Sequence, residues 1–145
     1  MAASPTQSLF DALSGIWTLR REIEDARFGA GTFEGRATFA TQPDGTLLYE
    51  EHGELRLGAW RGPAWRRWVY ALEGDTLMIR YPGTGVELHA LRLGEGGVAT
   101  HVHVCNPDRY GAELKRLPGG EISLAYDVTG PAKDYRLRTM LTPET

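Results

Sequence analysis

The sequence predicts an all-β, antiparallel fold of about ten strands around an internal pocket, preceded by a short N-terminal helix. Three observations predict it. The chain has 145 residues, one domain's worth by the norm of ~100–200 residues per domain. After Gly15, apolar and polar residues alternate with period two in about ten segments, the pattern of half-buried strands. The breaks between segments are short and rich in glycine. Glycine supplies 18 of the 145 residues, about 12% against a usual value near 7%. Short breaks make neighbouring strands antiparallel, because parallel pairing needs a crossover of a dozen or more residues. Ten such strands form a sandwich or close into a barrel, and closure removes exposed edges.

The helix is expected over about 5–13. Ser4 can cap it, Pro5 suits its first position, and Gln7 stands at capping-box spacing. Leu9, Phe10 and Leu13 share one face, and Gly15 stops it. The first strand, about 16–24, turns Trp17, Leu19 and Ile23 one way and Thr18, Arg20, Glu22 and Glu24 the other. The second, about 32–41, aligns Phe33, Gly35, Ala37 and Phe39. Pro43-Asp44-Gly45 turns the chain, with proline presetting φ and glycine taking the left-handed position. The third strand, 47–57, contains Gly53, and a glycine inside a strand marks a bend. Later strands are expected at about 65–72, 77–81, 86–93, 98–105, 109–117, 122–128 and 135–141. No repeat or linker divides the chain, so residues 1–145 read as one domain.

Composition narrows the function classes. The formal net charge is −3, which is no footprint for nucleic acid. Fourteen of the sixteen basic residues are arginine, a side chain suited to planar, bidentate anion contacts. Cys105 is the single cysteine, so no intramolecular disulfide forms, as fits a reducing compartment. The N-terminus lacks the basic and apolar regions of a signal peptide. No stretch approaches the ~18 apolar residues of a transmembrane helix. The chain therefore reads as cytoplasmic, without membrane or nucleic-acid partners. A homodimer is compatible with it.

Gly15-Ile16-Trp17 after a short helix resembles the Gly-x-Trp opening of calycin barrels, such as lipocalins and fatty-acid-binding proteins. More of the chain resembles an uncharacterised bacterial domain-of-unknown-function family with a lipocalin-like barrel. The matching pieces are Gly15-Ile16-Trp17 with Arg21; Phe33-x-Gly35-x-Ala37-x-Phe39; Tyr49-x-Glu51-x-Gly53; and Arg66-Arg67-Trp68-Val69-Tyr70. They continue through His89, then His103-x-Cys105-x-x-Asp108-x-Tyr110, and Gly130-Pro131-x-Lys133-Asp134-Tyr135. Leu88 stands where that family usually has phenylalanine. The resemblance implies a calycin-like barrel and no particular activity, because a shared fold does not transfer function.

The candidate site residues follow from strand faces. Ala99, His101, His103 and Cys105 share one face of the seventh strand, opposite Val98, Val102 and Val104. We read the histidine face as inward, with His89 beside it. On the fourth strand, Arg66, Trp68, Tyr70 and Leu72 form the more aromatic face. An inward Arg66 is a cation that needs an anionic partner, either a carboxylate such as Glu51 or a ligand; the alternative is a partly solvated arginine at the barrel mouth. Asp108 is expected to bond locally near its turn. Tyr110 and Tyr135 are expected at the pocket, and Lys133-Asp134-Tyr135 at an open end of the barrel.

Three readings of the histidines stay open: a metal site built on His-x-His, hydrogen-bonded core histidines, and the polar end of a ligand pocket. The last leads. Its ligand-binding set is His89, His103, Arg66, Cys105, Tyr110, Tyr135, Trp68 and Tyr70, with no metal and no cofactor implied. The expected function is binding of a small, partly apolar molecule. The alternatives are an isomerase- or hydrolase-type enzyme with a histidine base and a non-binding interaction module.

Overall fold

In the computed structural model, which describes residues 3–144, helix α1 spans Pro5–Leu13. The Ser4 hydroxyl accepts a hydrogen bond from the Gln7 backbone N–H at 3.1 Å. Pro5 sits in the first turn, where a missing N–H costs nothing. At the other end, the Trp17 indole Nε1–H donates to the Leu13 carbonyl at 2.8 Å. That bond satisfies one of the carbonyls a helix end leaves without a partner. It also gives Trp17 a second task beside filling the core, where its ring meets Phe39 edge-on at 6.2 Å.

Ten strands follow: β1 (Gly15–Asp25), β2 (Gly29–Thr41), β3 (Leu47–Leu57), β4 (Trp60–Glu73), β5 (Thr76–Arg80), β6 (Glu87–Leu91), β7 (Val98–Cys105), β8 (Asp108–Arg116), β9 (Ile122–Gly130) and β10 (Lys133–Pro143). They form one antiparallel sheet in the order β6-β5-β4-β3-β2-β1-β10-β9-β8-β7. The first and last strands pair, Trp17 opposite Pro143, and this rolls the sheet into a barrel. Strand β4 begins five residues before the expected start, because Gly58 (φ +60°) lets the chain reverse at once. Trp60 then pairs with Leu57.

Closure is nearly complete. The sheet order ends at β6 and β7, which are consecutive in the chain yet not paired by backbone hydrogen bonds. The expectation that closure removes every edge is corrected here. Strand β6 is short, and the β5–β6 register shifts between Ile79 and Arg80; such irregularities twist an edge away from its neighbour. Side chains bridge the resulting seam. His89 Nδ1 lies 2.9 Å from His101 Nδ1. At the helix end of the seam, the Leu93 backbone N–H donates to Thr6 Oγ1 at 2.9 Å.

Gly35 and Gly53 are directly opposed across β2 and β3. A Cβ on Gly35 would lie 2.0 Å from the His52 carbonyl oxygen, and one on Gly53 would lie 2.3 Å from that of Glu34. The two backbones approach too closely for any side chain there, and this lets both strands bend together.

The alternation in β1 is cleaner than its hydrophobicity. Trp17, Leu19, Arg21 and Ile23 are all buried, and the residues between them are exposed. An arginine thus occupies a core-facing position.

Candidate functional site

The interior holds a pocket of about 80 Å³, lined by Arg66 and Trp68 of β4, Tyr81, Leu88 and His89 around the β5–β6 connection, Tyr110 of β8, Tyr126 and Val128 of β9, and Tyr135 and Leu137 of β10. One water needs about 10–15 Å³ on this measure, so the space suits several waters or a small organic molecule. A neighbouring hollow of about 170 Å³, lined by Arg21, Ile23, Phe33, Glu51 and Leu55 among others, shares Arg66 and Leu137 with it. Larger hollows lie elsewhere, such as one of about 430 Å³ among Arg20, Glu34 and Arg138. It opens to solvent and gathers no unpartnered buried side-chain atom.

Below the pocket lies an ionic network. Strand pairing sets Glu51 directly opposite Arg66. Glu51 Oε1 lies 2.6 Å from Arg66 Nε, but the Nε–H is not aimed along that line and makes no aligned hydrogen bond. Arg21 takes the same carboxylate in a bidentate grip, with Nη1 to Oε1 at 2.7 Å and Nη2 to Oε2 at 2.9 Å. The Arg21 Nε–H donates to Thr139 Oγ1 at 2.7 Å, and the Tyr49 hydroxyl donates to Glu51 Oε2 at 2.5 Å. Burial alone would raise the Glu51 pKa. The hydrogen bond from Arg21 and the charges of Arg66 and Arg21 outweigh it and hold the carboxyl below its usual range. Glu51 is therefore ionised at neutral pH.

His89 is fully buried. Its Nδ1 is engaged by His101, and its Nε2 has no partner. Its ring sits 5.7 Å from that of Tyr126 and 6.5 Å from that of His103. Burial, then the proximity of His101 and His103, lowers its pKa to about 4. The imidazole is neutral at pH 7, and its Nε2 is buried without a partner in a residue that lines the pocket. A buried polar atom without a partner is costly and uncommon.

At one rim, Lys133 Nζ donates to the Tyr110 hydroxyl at 2.7 Å and lies 3.0 Å from Asp108 Oδ2. Hydrogen bonds to Tyr110 and Asp108 raise the Lys133 pKa beyond its ordinary value. Gly130 matters here, since a Cβ on it would collide with Asp108 Oδ1 at 2.0 Å. Asp108 therefore serves a long-range rim contact rather than the local turn role expected of it.

Most of the expected site residues meet. His89, Arg66, Trp68, Tyr110 and Tyr135 line the pocket. The histidine face of β7 does point inward, since Val102 and Val104 are exposed while His101 and His103 are half-buried. His103 stands behind His89 and beside Tyr110, at 5.9 Å between rings. Three expected pocket residues, His103, Cys105 and Tyr70, are not in its lining. Cys105 is exposed, because β7 ends there and the chain turns out of the barrel. Tyr70 lies deeper, in the aromatic core with Phe39 and Tyr49. Tyr81, Leu88, Tyr126, Val128 and Leu137 complete the lining and are not among the residues expected to bind. Tyr126 was legible in principle, as the aromatic member of the Leu124-x-Tyr126-x-Val128 face. Tyr81 was not, since it follows the end of β5. Among the described residues, no three His, Cys, Asp or Glu side chains converge as a metal-ion group would. No helix among them is long and apolar enough to cross a membrane.

Fold and site together define a nearly closed, ten-stranded antiparallel barrel with a small, aromatic-lined interior pocket. The chain belongs to the family of unknown function DUF6314, whose model matches residues 13–143. No curated protein matches it in sequence. Among solved structures, the barrel is similar to the S-type phycobiliprotein lyase CPES from Guillardia theta, at TM-score 0.63 and 6% identity over 96% of this chain and 92% of that one. It is also similar to a redesigned β-barrel, mFAP1, bound to DFHBI, at TM-score 0.51 and 14% identity over 92% of this chain and 97% of that one. EF1p2_mFAP2b bound to DFHBI has TM-score 0.50 and 13% identity over 98% and 100% of the two chains. At these identities the likeness is one of fold.

Proposed function

We propose that this chain binds a small, partly apolar molecule in the barrel interior. The observation that carries this reading is the pairing of a fully buried, unpartnered His89 Nε2 with a pocket walled by Trp68, Tyr81, Tyr126 and Tyr135. Ligand pockets combine apolar and aromatic walls with a few placed polar groups, and a bound molecule would supply the partner that His89 lacks. The two similar barrels bound to DFHBI are consistent with small-molecule binding by this architecture.

Use of His89 as a general base draws less support. Catalytic bases work best with a pKa near the operating pH, and that of His89 is lowered to about 4. An interaction module with a solid barrel draws less support still, since the interior is not filled.

The test is a ligand-observed NMR screen of small neutral and charged aromatic compounds. Leu137→Trp, which fills the pocket, serves as the comparison. Hits on the natural chain that vanish in the folded variant support the reading. An absence of hits, or hits that persist with the pocket filled, overturns it.

A further inference from the structure

The charge inside the barrel does not balance. Arg21 is 6% exposed and Glu51 2% exposed, and they grip each other in bidentate fashion. Arg66 shares that one carboxylate. Two guanidiniums therefore face a single anion, leaving one net positive charge in the wall of the pocket. No Asp or Glu is among the pocket's lining residues. Lys133 at the rim adds nothing net, because Asp108 lies against it. His89 is neutral at pH 7, and burial raises the pKa of Tyr81, Tyr126 and Tyr135, so these phenols add no negative charge.

The excess charge is accessible. Arg66 keeps 33% of its side-chain surface exposed, while its Nε is buried against Glu51. The exposed part is therefore the rest of the side chain, which borders the pocket and the neighbouring hollow. A guanidinium edge is a planar fork that matches a carboxylate. The walls beside it are flat. Trp68 and Tyr81 have ring centroids 5.0 Å apart, the Arg66 Cζ lies 5.7 Å from the Trp68 centroid, and Tyr126 stands against His89.

We propose that the ligand is a small aromatic monoanion, its carboxylate on the exposed edge of Arg66 and its ring packed against the pocket walls formed by Trp68, Tyr81 and Tyr126. A hydroxyl on that ring satisfies His89 Nε2 in either tautomer, since a hydroxyl both donates and accepts. This assignment rests on the interior-binding reading above and adds the charge and shape of the occupant.

The experiment compares benzoate with benzamide, a neutral analogue of nearly the same shape, by two-dimensional NMR titration of the full chain at pH 7 and constant ionic strength. Benzoate is expected to bind about tenfold more tightly, with shift changes centred on Arg66, Trp68, Tyr81 and Tyr126. In Arg66→Gln the bidentate Arg21–Glu51 pair survives with balanced charge, and the preference is expected to fall to about one. Equal binding of the two probes by the natural chain, or tighter binding of benzamide, overturns the assignment while interior binding stands. Benzoate shifts that map to the outer surface also overturn it. Failure of both probes to perturb the pocket of a natively folded chain counts against interior binding itself. The comparison within the natural chain decides the matter even if Arg66→Gln does not fold.

Discussion

Glu51 lies 2.7 Å from Arg21 and 2.6 Å from Arg66, so one buried carboxylate holds two guanidiniums that approach from β1 and β4. Removing it leaves two buried or half-buried cations facing each other. Glu51→Gln is expected to destabilise the fold by about 3–5 kcal/mol, as expected when one partner of a buried pair is lost. The folded pKa of Glu51 is depressed, so its contribution is present above the unfolded carboxylate value. It is lost as pH falls through the folded one. Urea midpoints of the natural chain should therefore fall on acidification below about pH 4.3 more steeply than those of Glu51→Gln. Parallel slopes would refute the role given to this carboxylate.

His89 has the opposite charge type and the same acid sensitivity. Its pKa is lowered to about 4 from an unfolded value near 6.5. As pH drops below about 6.5, the unfolded chain binds a proton that the folded one refuses until about pH 4, so stability falls across that window. The full difference amounts to about 3 kcal/mol. The measurement is a histidine-resolved NMR titration together with urea midpoints. The His89 ring should stay neutral from pH 8 to pH 5, and His89→Leu should flatten the loss of stability between pH 6.5 and 4. A His89 resonance titrating near 6.5 would contradict the burial argument.

The paired glycines of β2 and β3 give a sharp steric contrast. Gly35→Ala places a Cβ 2.0 Å from the His52 carbonyl oxygen, where only backbone movement relieves the clash. A loss of about 3 kcal/mol or more is expected from such overpacking. Gly111→Ala meets its nearest atom, the Asp127 carbonyl oxygen, at 3.6 Å, an ordinary contact. It should be neutral to within about 0.5 kcal/mol. Thermal melts of the two variants side by side check the contrast.

These contrasts show what the sequence made legible. Period-two alternation marked strand faces well enough to place Arg66, Trp68 and His89 inside, and Gly35 and Gly53 announced a bend. The Arg66–Glu51 contact was legible as a need, because an inward arginine requires an anion. Arg21 was not, since period two makes no distinction between a buried arginine and an error in the pattern. The β1–β10 pairing sets it opposite Thr139, and only the rolling of the sheet brings it to Glu51 on β3. The seam was hidden for a similar reason. Nothing local distinguishes the β6–β7 connection from the other hairpins, and the missing ladder reflects how ten strands of unequal length close in three dimensions. The site was thus legible as a set of faces, but its pairings depended on register.

Cys105 supplies a direct check on the corrected end of β7. The thiol is exposed, so a thiol-reactive dye should label the folded chain at a rate close to that of the denatured chain. Small molecules occupying the pocket should not protect it. Labelling that requires denaturant, or that a pocket ligand blocks, would return Cys105 to the interior.

The seam between β6 and β7 depends on side chains where other strands use backbone ladders, and Thr6 is its anchor on the helix. The Leu93 backbone N–H donates to Thr6 Oγ1 at 2.9 Å, and both residues are buried. Thr6→Val keeps the shape and removes the acceptor, which leaves a buried N–H without a partner. That loss is worth about 1–3 kcal/mol. Because β6 and β7 share no backbone ladder, the effect should be felt first as local opening rather than as global unfolding. Native-state hydrogen exchange is the measurement. In Thr6→Val the amides of Leu93 and its neighbours in β6 should exchange roughly ten- to a hundredfold faster, while those of the β1–β2 and β2–β3 ladders change by less. Uniform acceleration across all strands would mean that the seam opens only when the whole barrel does. In that case the helix contributes to overall stability and does not fasten one edge in particular.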